Sequence, residues 1–541
     1  MSLLPGSLQQ AAYINPSIPV GGGFDILNGT YYKGLHRQNI LSGGLSYIMG
    51  VAAKGNVGKS TFAEWLMYTA MARVTSWAFE KPSVGIFYDT EINKNEPRMT
   101  KLQLAVRDLC GRDLFSAGRF SLTNKVNYSG NKFFDMIKDW LEEKRKDRKN
   151  QYDTPFADRG GKTPFRMFVP TTCAVDSISE FDTDDIDKVR DSTELGTGAQ
   201  NIVNMRAGLI KTNFLTELPR VTIQANNYTV LVAQIGKNMD MGASPHAPPR
   251  QQLKGLSSSE ALKGATAKFT FATHDCWWIE SNAPLWDDDM KPEYPLDPKT
   301  ARSKDPDLQI SKFKQLRSKG GPSLIQHDVL VSQQSGVLPE LTEFHYLRTR
   351  KRWGMEVSGG GGSIMELFLY PGHKVTRNTV RAKIDSDALF RRALNFTMEM
   401  KQMEEHWAWV SQEGWFVSPE DLYIGLQARG YDWNILLNTR GYWCLGEGPC
   451  PELSTIDLWR MYHGGYHPYW YDKVAGPEAA AKVNKGPFEA VLAVTPYGAL
   501  WSDMAEGKEI YGFAKDTTTS DSAVADLVTK AKAKCKEMEV G

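Results

Sequence analysis

The nine residues Ala53-Lys54-Gly55-Asn56-Val57-Gly58-Lys59-Ser60-Thr61 carry the densest chemistry in this chain. Small residues there let the backbone turn back, so that successive N–H groups converge on an anion. A helix starting after Gly58 adds the positive end of its dipole at the same point. Lys59 would reach the outer phosphates of a nucleoside triphosphate, and the Ser60 hydroxyl would reach Mg2+. Ala53 stands where such loops usually open with glycine, and its small side chain still permits close packing. Two acids extend the pattern. Asp176 ends the apolar run Cys173-Ala174-Val175, where a carboxylate can hold the hydration shell of Mg2+. Glu91, in Asp89-Thr90-Glu91, could polarise an attacking water as general base, with Asp89 competing for that role.

These residues need a parallel sheet to bring them together. From Ser46 to Glu91 the pattern is strand, loop, helix, strand, with Phe62, Trp65, Leu66 and Thr69 at helical spacing. Further apolar runs end at Asp176 and at Gln234, the second after a long helix-like segment. The alternation predicts an α/β fold with a mostly parallel central sheet. Residues 92–165 read as a helical insertion whose apolar side is Phe133, Phe134, Met136, Ile137, Trp140 and Leu141. The charged run 142–149 reads as a solvated helix end, and Asp153 to Pro164 as turn-rich. Strands are expected over Lys268–Glu280 and Leu308–Leu316, separated by a Pro- and Asp-rich excursion, 284–307. The division expected is an arm or assembly segment (1–34), an α/β core that carries the 53–61 loop (35–345), a mainly helical, aromatic-rich C-terminal domain (346–475, with Gly359 to Gly362 as a loop) and a weakly patterned tail region (476–541).

Composition narrows the class. Hydrophobic residues at 41% and charged residues at 23% give the balance of a globular chain, and 541 residues suggest several structural units. No apolar run is long enough for a membrane span, and no signal peptide is visible, so no membrane partner is expected. Six scattered cysteines fit a reducing cytoplasm. A net charge of +1 neither supports nor excludes a nucleic-acid partner.

The order Gly-Lys-Ser-Thr, Phe-Tyr-Asp-Thr-Glu, Val-Asp-Ser, Val-Leu-Val-Ala-Gln resembles the RecA family of recombinases, and its layout looks closest to the phage UvsX-like branch. The resemblance covers roughly residues 35–345 and implies a RecA-like P-loop core. It implies ATP and Mg2+ as cofactors, Glu91 as catalytic base, Asp176 beside Mg2+, and Gln234 as a γ-phosphate sensor signalling to a DNA-binding loop. Residues 236–265, with Lys237, Arg250, Lys254 and Lys263, correspond to that loop, and the acidic stretch 181–200 to a first loop. Lys314 and Arg317 could act in trans on a neighbouring subunit's ATP; a solvated strand end and a DNA-backbone contact are the competing readings, and Lys263 and Lys268 are rival trans residues. The implied function is an ATP-dependent recombinase, in the cytoplasm of a bacterium or phage-infected host. It would form filaments of its own copies on single-stranded DNA and pair them with double-stranded DNA. Two alternatives share the motor: a helicase assembled as a hexameric ring, and a ParA-like partition ATPase, whose deviant loop Lys54-Gly55-Asn56-Val57-Gly58-Lys59-Ser60 resembles.

Other constellations are weaker. Cys444, Cys450, His463 and His467 approach zinc-finger spacing, but Gly464 and Gly465 would break the presenting helix. A helix capped by Ser454 and ended by Gly464 explains the segment without metal. Tyr462, Tyr466, Tyr469, Trp470 and Tyr471 could stack on bases, but lack an interleaved basic patch and read as core. Met398, Met400 and Met403, with Phe390, Leu394 and Trp407, read as a helix packing face.

Overall fold

The computed structural model describes residues 14–75, 82–158, 161–181, 199–237, 255–257, 260–263, 267–296, 307–412, 414–446 and 448–484. Its centre is a ten-stranded, mostly parallel sheet in a mixed α/β fold. The chain first makes a short helix α1 (Phe24–Leu27) and an antiparallel pair, β1 (Thr30–Lys33) with β2 (Asn39–Ser42). It then enters the sheet at β3 (Ile48–Ala53), which is buried along its whole length, as a strand covered on both faces must be. Helix α2 (Lys59–Val74) follows and leads to β4 (Gly85–Asp89). Twelve of its sixteen residues are buried, so it is an internal helix rather than an amphipathic one.

The stretch 92–165 does not form the expected helical insertion. It supplies α3 (Glu96–Leu104), a further strand of the main sheet, β5 (Phe120–Asn124), then α4 (Gly130–Lys146) and a hairpin of β6 (Gln151–Ala157) and β7 (Pro164–Phe168). β5 pairs in parallel with β4 and closes one side of the sheet. The expected apolar side of α4 does face the core: Phe133, Ile137 and Leu141 are buried, and the Phe133 ring stacks on Tyr88 of β4 at 4.0 Å. The charged run 142–149, which begins in the last turns of α4, is not wholly solvated, because Lys144 is buried and donates to Thr171 Oγ1 at 3.0 Å. The turn-rich reading of 153–164 is corrected to the β6–β7 hairpin.

Next come β8 (Thr171–Asp176), the long helix α5 (Ala199–Gln224) and β9 (Asn227–Lys237), to which β10 (Glu260–Lys263) pairs antiparallel. Residues 268–272, expected as the start of a strand, instead belong to α6 (Ala267–Ala272); the strand begins at β11 (Asp275–Pro284). The reason is packing. Phe269 of α6 lies against Gly50 of β3, where an added Cβ would meet the ring at 3.0 Å. β12 (Leu308–Ser318), β13 (Gln326–Ser332) and β14 (Gly336–Val337) extend the sheet antiparallel.

A second hydrophobic core forms under α7 (Pro339–Thr349), the hairpin β15 (Met355–Ser358) with β16 (Ile364–Leu367), α8 (Val380–Ser386) and α9 (Ala388–His406). Short helices α10 (Ala408–Gln412), α11 (Pro419–Ala428), α12 (Trp433–Leu437), α13 (Thr455–Tyr462) and α14 (Tyr471–Lys482) complete it. Met398, Met400, Met403, Phe390 and Leu394 are buried there, as are Tyr462, Trp470 and Tyr471. Tyr469 is exposed and stacks on His36 at 3.9 Å. The two cores are joined by specific contacts. Asn39 of β2 bonds Asp457 of α13 through side chain and backbone, and Trp443, although it follows α12 in the chain, is buried in the first core and donates to the Ser17 carbonyl at 2.9 Å.

Residues 14–34 do not stand apart as an arm. Ile18, Val20 and Phe24 are fully buried, and the Phe24 ring lies 5.1 to 5.9 Å from those of Phe62, Trp65, Trp277, Phe313 and His327. Gly21, Gly22 and Gly23 all have φ between 61° and 86°. At Gly23 a Cβ would sit 2.2 Å from Met398, so glycine is required both by conformation and by space. Residues 1–13 and 485–541, with most of 181–200 and 236–265, lie outside the described residues.

Candidate active site

Strand register sets the site. Ala53 of β3 is level with Gln234 of β9; Asp176 of β8 is level with Val232 of β9 and with Asp89 of β4. The carboxyl ends of four neighbouring parallel strands therefore open on one edge, where open α/β sheets bind their ligands.

On that edge the segment Lys54–Gly58 turns between β3 and α2. Asn56 has φ 60° and Gly58 φ 86°, and nothing lies within 4 Å of a Cβ built on Gly55 or Gly58. Backbone is thus presented to open space, with the first turn of α2 behind it. Lys54, Gly55, Asn56 and Gly58 are exposed, Val57, Ser60 and Thr61 half-buried, and Ala53 and Lys59 buried. Lys54 pairs with Glu260 of β10 at 3.0 Å. Lys59 lies within the site, its Nζ 3.5 Å from Glu91 Oε1.

Glu91 stands two residues beyond the end of β4, not on the strand as its sequence suggested. Its Oε1 accepts from Gln234 Nε2 at 3.0 Å and from Ser177 Oγ at 3.4 Å, and its Oε2 accepts from Asn93 Nδ2 at 2.9 Å. Burial raises its pKa. The Lys59 ammonium and the hydrogen bonds from Gln234, Lys59 and Asn93 outweigh that, holding the carboxyl below its ordinary range. Asp89 has a different task. Its buried carboxylate accepts four backbone N–H groups, from Glu91, Ile92, Asn93 and Lys94, at 2.7 to 3.0 Å. With its oxygens committed to backbone amides, Asp89 shapes the 91–94 turn that carries Glu91 into the site.

Asp176 is buried, and its Oδ1 has no hydrogen-bond partner. Burial pushes its carboxyl up; Lys94, the Ser60 hydroxyl and Lys59 pull it down, and Glu91 pushes it up. An unpartnered carboxylate oxygen beside a serine hydroxyl is a pair of hard oxygen donors, which fits Mg2+.

Sequence reasoning missed Lys94 and Glu64. Lys94 Nζ pairs with Glu64 of α2 and lies 3.9 Å from Asp176 Oδ2. Burial raises the Glu64 carboxyl, and Lys94 counters this. Glu64 did carry a signal: an acid among Phe62, Trp65 and Leu66 on a buried helix needs a partner. Lys94, in the polar turn Asn93-Lys94-Asn95, carried none.

Gln234 does not end its strand. β9 continues to Lys237, which is exposed, and Gln234 is paired with Lys263 of β10. Lys263 is exposed and its aliphatic chain covers Gly236. The two ends of 236–265 are thus a paired hairpin stem; Arg250 and Lys254 lie outside the described residues. Lys268 is exposed on α6. Lys314 donates to the Gly255 carbonyl at 3.2 Å, whereas Arg317 is level with Cys276 and, through it, with Gly50. His467 has both ring nitrogens in hydrogen bonds, to Tyr431 and Asp472, and burial raises the Cys444 and Cys450 thiols. Ser454 caps α13 and Gly464 has φ 81°.

No helix among the described residues is long and apolar enough to cross a membrane. Neither a protein-family model nor a curated protein matches this chain.

Proposed function

We propose that this chain is an ATPase with a RecA-like P-loop core that works on DNA as a self-assembling recombinase. The observation that carries this reading is the meeting of Lys59, Glu91 and Gln234 on one strand edge beside the 54–58 turn. The backbone amides of that turn would hold the phosphates of ATP, and Lys59 would balance their charge. Glu91 would take a proton from the attacking water onto a carboxylate oxygen as the water oxygen bonds the γ-phosphorus, releasing ADP and phosphate. Ser60 and Asp176 would hold Mg2+, which supplies neutralisation of the phosphate charge. Gln234, touching Glu91 through its side chain and hydrogen-bonded through β9 to β10, would report the γ-phosphate to the hairpin whose strands carry Lys237 and Lys263.

The test is electron microscopy of the full chain with ATP, Mg2+ and single-stranded DNA, alongside a strand-exchange assay. Open helical filaments and homology-dependent joint molecules are expected. A closed ring that unwinds duplex would replace the reading with a helicase. A compact dimer whose hydrolysis needs Lys54 as much as Lys59 would replace it with a partition ATPase.

A further inference from the structure

Ser179 stands between the acid edge and the β9–β10 hairpin. The turn after β8 runs Asp176-Ser177-Ile178-Ser179, and Ser179 is half-buried. Its Oγ accepts the backbone N–H of Gln234 at 3.1 Å and donates to the Lys263 carbonyl at 2.8 Å. Its own carbonyl accepts from the buried Lys211 Nζ of α5 at 2.7 Å, which anchors the turn from below. Gln234 and Lys263 are the facing pair of the β9–β10 ladder, so one hydroxyl bridges both strands at the level of the active edge. Two residues earlier, Ser177 Oγ donates to the same Glu91 oxygen that receives the Gln234 amide.

We infer that Ser179 is a positioning residue for hydrolysis. It fixes the Gln234 backbone so that the side-chain amide meets Glu91, and it makes that contact depend on the β9–β10 hairpin. A hydroxyl is suited to this because it accepts and donates at once, which neither alanine nor valine can do. The inference rests on the ATPase reading proposed above. If the hairpin engages DNA, the signal to Glu91 passes through Ser179 as well as along β9.

The experiment compares wild type with Ser179→Thr, Ser179→Val and Ser179→Ala in ATP turnover, with and without single-stranded DNA. Thermal melting checks each fold. Valine and threonine differ only in the hydroxyl at nearly equal volume. Ser179→Val and Ser179→Ala should lower kcat about three- to tenfold, the worth of one or two hydrogen bonds, with KM for ATP within about twofold. The ratio of turnover with DNA to that without should fall toward one, which general loosening of the fold would not do. Ser179→Thr should recover most of both. Wild-type kcat and DNA stimulation in the alanine and valine variants would overturn the inference, as would threonine behaving like valine. No ATP turnover by the wild-type protein would instead remove the reading on which it rests.

Discussion

Replacing Glu91 with glutamine separates the two parts that this carboxylate plays in the structure. It keeps the size of the side chain and leaves an oxygen for the Gln234 amide, but removes the proton acceptor and the charge facing Lys59 at 3.5 Å. On the ATPase reading proposed above, Glu91 is the general base, and loss of such a base lowers kcat by about 10²–10⁴-fold. Binding should move the other way. At an effective dielectric constant of about 20, the bare attraction between Lys59 and Glu91 is about 5 kcal/mol. The cost of desolvating the buried Lys59 and the half-buried Glu91 offsets most of it, leaving about 1 kcal/mol. Freed of that tie, Lys59 is more available to phosphate, so the Kd for ATP should tighten by about fivefold, measured with a fluorescent nucleotide beside steady-state turnover. Lys59→Ala is the contrast and should lose binding. The pH profile gives an independent check. With the Glu91 carboxyl held below its ordinary range, the base is ionised above that range, so kcat/KM should stay level as pH falls toward about 5 and fail only as pH drops through the lowered value. Near-normal turnover in Glu91→Gln would refute its role as base. Loss of ATP binding as severe as in Lys59→Ala would show that it holds the loop instead.

Asp89→Asn leaves one carbonyl oxygen for four amides; it should cost about 2 kcal/mol in urea unfolding and reduce turnover by loosening the Glu91 turn. Phe24→Ala should destabilise by about 3–5 kcal/mol if the N-terminal segment is core, whereas a detached arm would give almost no change in melting. Burial lifts Glu452 to about 7, with Arg440 and Arg392 pulling it down and Asp457 pushing it up, and leaves its Oε1 unpartnered. A raised carboxyl favours folding below its unfolded value of about 4.3 and loses that advantage as pH rises toward 7. Glu452→Gln should therefore gain stability over wild type between pH 5 and 8, by up to about 3 kcal/mol; a constant difference across that range would count against the buried acid.

What could be read from the residues was whatever depends on local chain order. The 53–61 loop and the strands that carry Asp176 and Gln234 each announce themselves in fewer than ten residues, through glycine or an apolar run, although β9 continues three residues past Gln234. Their meeting at one edge follows from the register of β3, β9, β8 and β4, which no short window contains. β5 escaped notice because Phe120-Ser-Leu-Thr-Asn has the mixed pattern of a strand at the side of a sheet. Residues 268–272 went the other way: Phe269, Thr270 and Phe271 suited a strand, but the segment is helical and packs Phe269 against Gly50. Asp89 remained a competitor of Glu91 in sequence because the difference lies in four amides that the turn itself supplies.

The positions of the β12 cations set up a test of assembly. Arg317 is level with Gly50, three residues short of Ala53, and two strands away from β3. That places its backbone about 10 Å down the strand and about 10 Å across the sheet from the end of β3, toward the edge opposite the 54–58 turn. Lys314 is nearer the active edge, level with Trp278 and hence Ala52, but it is engaged with the Gly255 carbonyl. An arginine so placed is badly sited for a nucleotide held by its own chain. If Arg317 meets ATP at all, the nucleotide belongs to a second copy stacked against the far edge of this sheet, and hydrolysis then depends on the contact between copies. An Arg317→Ala protein mixed with a Lys59→Ala protein should accordingly regain part of the turnover that each has lost, because such mixtures contain junctions with both residues intact. Mixtures no more active than their parts would confine Arg317 to the solvent or DNA-backbone role.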